Sequence, residues 1–212
     1  MRFVLASQSP ARLALLRAAG LEPERIVSGV DEDEFQAASP AELALQLAIA
    51  KAQTVAARVG ADAIVVGCDS VLDFEGAALG KPADLADARS RWLRMRGKDA
   101  VLMTGHCVVD TRPGADPDDW KVAIDVNPTM VRFAEVSDEE IDAYLASGEP
   151  LHVAGAFTLD GLGGWFVESI VGDPSNVVGL SLPLLRRLLG EVGTSVPELW
   201  RSHPVPAAAA AD

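Results

Sequence analysis

Apolar residues fall in short blocks along the chain, each opened or closed by a turn-forming residue, and their period changes from block to block. Residues 3–6 are continuously apolar, as in a strand covered on both faces. Ser9 then offers an N-cap, Pro10 suits the first helical position, and Leu13, Leu16 and Ala19 follow at helical spacing up to Gly20. A second strand is expected over 25–28. Ser39-Pro40-Ala41-Glu42 reads as a capping box, opening a helix with Leu43, Leu47, Ala50 and Val55 on one side. The apolar run 63–66 predicts another buried strand, ended by Gly67-Cys68-Asp69-Ser70.

Gly80-Lys81-Pro82 reads as a turn before a helix over 84–96 closed by Gly97. Strands are expected over 101–110 and 122–126, around a polar hairpin tip at 111–119, and again over 130–133. Ser137-Asp138-Glu139-Glu140 is a further capping box, for a helix carrying Ile141, Tyr144 and Leu145 and ending at Gly148. A glycine-rich stretch over 154–164, a strand over 165–170 and a helix over 182–189 with Arg186 and Arg187 exposed complete the pattern. Early βα units followed by strands predict a mixed α/β fold, a mixed central sheet flanked by helices, with a soft boundary near Gly97.

The 212 residues suffice for one compact domain, placed at 1–200, and the alanine-rich segment 204–212 reads as a disordered tail. Hydrophobic residues at 49% and charged residues at 23% exclude a largely disordered, collagenous or coiled-coil chain. No apolar run approaches the roughly 20 residues that span a bilayer. The first six residues are too brief for a secretory h-region, and Cys68 and Cys107 suit a reducing compartment, so a cytoplasmic protein is expected. Eighteen basic against thirty-one acidic side chains give a net charge of −13, which argues against a nucleic acid polymer as partner. A phosphate ligand would have to be met locally, and a divalent cation suits the role of mediator between acidic side chains and an anionic substrate.

Against that charge, a few positions stand out. Ser7 and Ser9 lie where a strand feeds a helix, so free N–H groups and the positive end of the helix dipole converge there, with Arg12 one turn in; an ordinary capped helix would look the same. Asp69 follows an apolar strand, the position from which open α/β sheets address ligands, and a carboxylate there can serve as general base or metal ligand. Lys51 shares the apolar stripe of its helix, so it either snorkels or meets a buried anion. Lys81 sits on a rigid turn suited to phosphate. Asp31 and Glu32 open a run of four acids, by default a solvated loop, that would repel one another unless a cation or water satisfied them. His106 and His152 read as core or rim residues, and Cys68 as packing.

Leu5-Ala6-Ser7-Gln8-Ser9-Pro10-Ala11-Arg12, Val30-Asp31-Glu32, Ala50-Lys51-Ala52, Gly67-Cys68-Asp69-Ser70, Leu79-Gly80-Lys81-Pro82, Ala154-Gly155-Ala156-Phe157 and Asn176-Val177-Val178-Gly179-Leu180 resemble, in this order, the Maf family of nucleoside triphosphate pyrophosphatases. The resemblance implies two lobes with a cleft between them, an often dimeric protein, and hydrolysis of a nucleoside triphosphate to monophosphate and pyrophosphate with Mg²⁺ or Mn²⁺. It assigns water activation to Asp69, phosphate contacts to Ser7, Arg12, Lys51 and Lys81, and a metal to Asp31, Glu32 and Asp69. Three positions depart from the best-known subgroup: Ala11 replaces the first arginine of Ser-Pro-Arg-Arg, Ser70 the threonine after the aspartate, and Asp160 a glutamine. Ala11 and Asp160 look nearer to the subgroup that accepts cytidine, uridine or 7-methylguanosine triphosphates, so a role in substrate specificity is expected at Ala11, Ser70 and Asp160. Two other readings compete. A nucleotide-binding regulator of cell division without turnover is one; an aspartyl-phosphate phosphatase is the other, but Asp69 and Asp73 have the wrong spacing for its Asp-x-Asp.

Overall fold

The computed structural model describes residues 1–203; the segment 204–212, read as a tail, lies outside them. Strand β1 (Arg2–Leu5) pairs in parallel with the two-residue β2 (Glu24–Arg25) on one side and with β3 (Ala63–Phe74) on the other. β3 pairs antiparallel with β5 (Asp99–Asp110), β5 with β6 (Lys121–Phe133) and β6 with β7 (Val167–Val171), giving the order β2-β1-β3-β5-β6-β7. β4 (Ala77–Leu79) folds back on β3 through Glu75 and Gly76, both at positive φ, a tight hairpin that the alternation of apolar residues did not announce. The fold is the expected mixed sheet between helices.

The capping signals placed the helices well. Ser9 caps α1 (Pro10–Ala18), and Ser137 with Glu140 closes a full capping box on α4 (Asp138–Ala146). At α2 (Pro40–Val59) the box is only half formed: Ser39 Oγ accepts from the Glu42 N–H, but the Glu42 carboxylate reaches past Ser39 to the Ala38 N–H. α3 (Leu85–Met95), the short α5 (Pro174–Val178), α6 (Leu182–Glu191) and α7 (Val196–Ser202) complete the described chain.

Three expectations about strands were wrong for physical reasons. The strand expected over 25–28 is only Glu24–Arg25, because its partner β1 ends at Leu5, whose carbonyl takes the Ile26 N–H as the last bond. The expected strands 122–126 and 130–133 are one, β6, which runs through Pro128. The missing N–H of Pro128 is tolerated because β7 covers β6 only from Met130 onward, leaving an open edge at 128. Nor does β3 end at Gly67: it continues through Asp69 and Ser70 to Phe74, paired with β5 as far as Asp73. Gly67 is there for close approach rather than as a stop. α2 crosses so near that a Cβ on Gly67 would collide with the Ala48 carbonyl and come within 2.7 Å of the Ala52 nitrogen, and one on Gly105 would strike the Ala44 carbonyl.

Gly67→Ala must therefore lift a helix off its sheet. A loss of about 1–3 kcal/mol is expected for such overpacking, a fall in Tm of roughly 2–12 °C at this chain length. An unchanged melting temperature would mean that the helix shifts without cost.

The long strands β3, β5 and β6 run through two apolar regions. At one end Phe3, Leu5, Ile64 and Val66 pack under Leu16, Leu185 and Leu188 on one face of the sheet, while Val4, Val65 and Val109 pack under Ala48, Ala52 and Val55 on the other. At the far end Leu72, Phe74, Leu102 and Phe133 surround Trp92 and Tyr144. Gly97 falls within the stretch that builds this second region, between Met95 and Ala100. Between the two regions runs a belt of buried polar residues that includes Lys51, Asp69, Thr104, His106, Thr129 and Asn176.

Candidate active site

β1 and β3 stop pairing at Leu5 and Val66, with one more rung from the Ala6 N–H to the Val66 carbonyl. β3 has no neighbour on that side until β4 joins it at Leu72, and the chain after β1 turns away through Ser7 into α1. Asp69 thus lies in the middle of a strand yet just beyond the carboxyl end of the parallel pairing, where open α/β sheets form a crevice.

Because α2 rests on Gly67 and Gly105, its buried stripe runs from Ala44 through Ala48 to Lys51 directly above the Asp69 face of β3. Lys51 does not snorkel. It is 7% exposed, and its Nζ donates to Asp69 Oδ1 at 2.5 Å and to Glu32 Oε1 at 2.6 Å. Lys81 Nζ, on its exposed turn, lies 3.9 Å from the other Glu32 oxygen. Burial opposes ionisation of Glu32, but hydrogen bonding and charge from Lys51, with Lys81 and Arg12 beyond, together hold it below the usual carboxylate range. At Asp69 the balance goes the other way: burial raises its pKa, and Lys51 and Arg12 only partly offset it. One ammonium thus serves two carboxylates of unequal basicity, and the more basic of them sits deeper.

Asp31 does not join them. Its exposed side chain caps the 3₁₀ turn Glu32–Glu34 by accepting the Asp33 N–H at 3.1 Å, and this turn directs Glu32 inward. Among the described residues no group of three or more His, Cys, Asp or Glu side chains could hold a metal by itself. Glu32 and Asp69 are hard oxygen donors of the type that divalent cations take, and both converge on the Lys51 ammonium; Asp31 as placed stands apart.

Arg12 is held from three sides. Its Nε donates to the Gly179 carbonyl at 2.6 Å, Nη1 to Ser7 Oγ at 3.3 Å and Nη2 to Ser70 Oγ at 3.0 Å. Ser7 is buried and also accepts the Ser9 N–H. Ser70, one residue along an extended strand from Asp69, projects to the opposite face of the sheet, so its contact is with Arg12 and not with Lys51. Ala11 is half-buried on the first turn of α1, and Asp160 is exposed in a loop that Glu149 organises by accepting from Tyr144, Thr158 and the Leu162 and Gly163 N–H groups.

Thr104 was not singled out from the sequence, and Asn176 and Gly179 were singled out only as part of a motif, with no task assigned. A threonine and a histidine two residues apart in an otherwise apolar strand could have signalled Thr104. His106 is a core residue: burial pushes it down to about 4, its Nδ1 faces the Thr104 carbonyl and its Nε2 accepts the Ser181 N–H. Cys68 is likewise buried, its thiol pushed up to about 12 by desolvation, and reads as packing. No helix among the described residues is long and apolar enough to cross a membrane.

A family model described as Maf-like protein matches residues 2–192. A nucleoside triphosphate pyrophosphatase of Streptomyces avermitilis is 60% identical over 94% of this chain and 94% of its own, and one of Streptomyces coelicolor is 60% identical with the same coverage. One of Nocardia farcinica is 56% identical over 95% of this chain and 97% of its own.

Proposed function

The chain belongs to the Maf family and is a nucleoside triphosphate pyrophosphatase, and from that premise we propose that Asp69 is the general base of the hydrolysis, with Lys51, Lys81, Arg12 and Ser7 contacting the phosphates. The observation that carries this reading is the Lys51 ammonium shared between buried Asp69 and Glu32. In the reaction one water is consumed, the anhydride bond between the α- and β-phosphates breaks, and monophosphate and pyrophosphate leave. Asp69 takes the proton of that water. Lys51, Lys81 and Arg12 supply positive charge that little else in a chain of net charge −13 provides. Glu32 and Asp69 would hold a divalent cation, Mg²⁺ or Mn²⁺, which when bound offsets the charge on the phosphates.

A panel of nucleoside triphosphates incubated with Mg²⁺ or Mn²⁺ tests this reading. Pyrophosphate release supports it and orthophosphate release overturns it; tight binding without product would favour a nucleotide-binding regulator.

For the base, the proposal rests on Asp160 and Ala11. An ionised carboxylate accepts hydrogen bonds and does not donate them, so Asp160 favours bases that present N–H groups, such as the amine of cytosine or the N1 and N2 edge of 7-methylguanine. Asp160→Gln is expected to shift the ratio of kcat/KM toward thymidine or uridine triphosphate. An equal loss for every nucleotide would instead place Asp160 in loop structure.

A further inference from the structure

Arg12 comes from the first helix, yet its tightest bond is to a carbonyl 167 residues later, and the segment bearing that carbonyl is pinned by buried side chains. Asn176, fully buried, directs the two hydrogens of Nδ2 at three acceptors, the Asn127 carbonyl at 2.9 Å, Thr129 Oγ1 at 3.0 Å and, more weakly, the Leu102 carbonyl at 3.3 Å. Thr129 in turn donates to the Asp173 carbonyl. α5 is thereby fastened to β5 and β6 just before Gly179, which turns at φ 116° with its α-carbon so close that a Cβ would come within 3.0 Å of Arg12 Nε.

A second line reaches the other end of the guanidinium. Thr104 Oγ1 lies 3.2 Å from the Asn176 carbonyl, which can only accept, so Thr104 donates there. The 3.0 Å contact between Ser70 and Thr104 must then be Ser70 donating, which leaves the Ser70 oxygen to accept from Arg12 Nη2. Every proton has one direction: Arg12 to Ser70, Ser70 to Thr104, Thr104 to the Asn176 carbonyl. Both lines end in the same segment, so Nε and Nη2 are fixed as a pair and the planar fork cannot rotate. With Nη1 on Ser7, three of the five N–H groups of Arg12 are committed, and the other two are presented in one orientation.

We propose that Ser70, Thr104 and Asn176 are positioning residues that orient the Arg12 guanidinium for the triphosphate. This assigns Ser70 to holding Arg12 rather than to choosing the base, and gives a task to Thr104, which touches no phosphate-contacting residue directly. It rests on the reading of Arg12 as a phosphate contact.

Thr104→Val keeps shape and burial and removes both ends of the relay; Thr104→Ser keeps the hydroxyl. Thr104→Val is expected to lower kcat/KM on the order of tenfold, chiefly through KM, and Thr104→Ser to restore it. In an Arg12→Ala background the further loss from Thr104→Val should vanish, because residues acting through one another are not additive. The Arg12 Nε–H, followed by ¹H–¹⁵N spectroscopy in the substrate-free protein, should exchange with water faster in Thr104→Val than in wild type or Thr104→Ser. A full additive loss in the Arg12→Ala background, or an unchanged Nε–H in Thr104→Val, would overturn the proposal while leaving Arg12 on the phosphates. Wild-type kcat/KM in Arg12→Ala alone would overturn both.

Discussion

Asp69→Asn is expected to bind nucleoside triphosphate within a modest factor of wild type and to hydrolyse it on the order of 10² to 10⁴ times more slowly, the usual contribution of a positioned general base. The amide keeps the shape but cannot take the proton of water. The melting temperature supplies an independent check. Burial outweighs the ion pairs at Asp69, so its folded pKa lies above its unfolded one. Its contribution to stability is therefore fully present below the unfolded pKa and is lost as pH rises through the folded value. At neutral pH the ionised carboxylate is a cost to the fold, but Asp69→Asn also takes one partner from buried Lys51, which keeps Glu32, so only a small change in Tm is expected beside the large loss of rate. A buried polar residue retained only for structure would behave in the opposite way, losing Tm and keeping rate. Turnover within a fewfold of wild type would remove Asp69 from the mechanism.

Lys51→Met should cost both activity and stability. Methionine fits the apolar stripe between Leu47 and Val55, so packing is kept while the shared cation goes. Asp69 and Glu32 then face each other without their shared cation, with Lys81 left only beside the outer Glu32 oxygen. Removing one partner of a buried pair typically costs about 3 kcal/mol or more, discounted here because the Glu32 side chain is 40% exposed and water screens it. The pH dependence has a definite sign. With its ammonium gone, Asp69 is raised further, so the penalty is absent below its unfolded pKa and grows as pH rises through its folded one. The Tm deficit of Lys51→Met against wild type should therefore be larger at pH 8 than at pH 5, and kcat/KM should fall at least as far as for loss of a single phosphate contact. Normal kinetics, with Tm curves that run parallel across pH, would show that Lys51 serves the fold alone.

Local signals carried far in this chain. Ser9-Pro10, Ser39 and Ser137 with Glu140 fixed where three helices begin, because a cap is a bond between a side chain and a backbone group three residues away and needs no partner from elsewhere. The apolar runs placed β1 and the start of β3, and the ordered motifs from Ser7 to Gly179 sufficed to identify the family. Period and capping could not tell a glycine that stops a strand from one that admits a helix. Gly67 looks the same in either case, and only the passage of α2 across the sheet makes it the second, carrying β3 on through Asp69. Nor does spacing along the chain say that Lys51 meets Asp69, 18 residues on, and Glu32, 19 residues back, instead of snorkelling. The bond from Arg12 to the Gly179 carbonyl is beyond any local rule. The sequence names the charged groups; which of them share a proton, a cation or a buried contact is decided when long-range packing removes water from between them, since the worth of a charge pair depends on the surroundings that the whole fold creates.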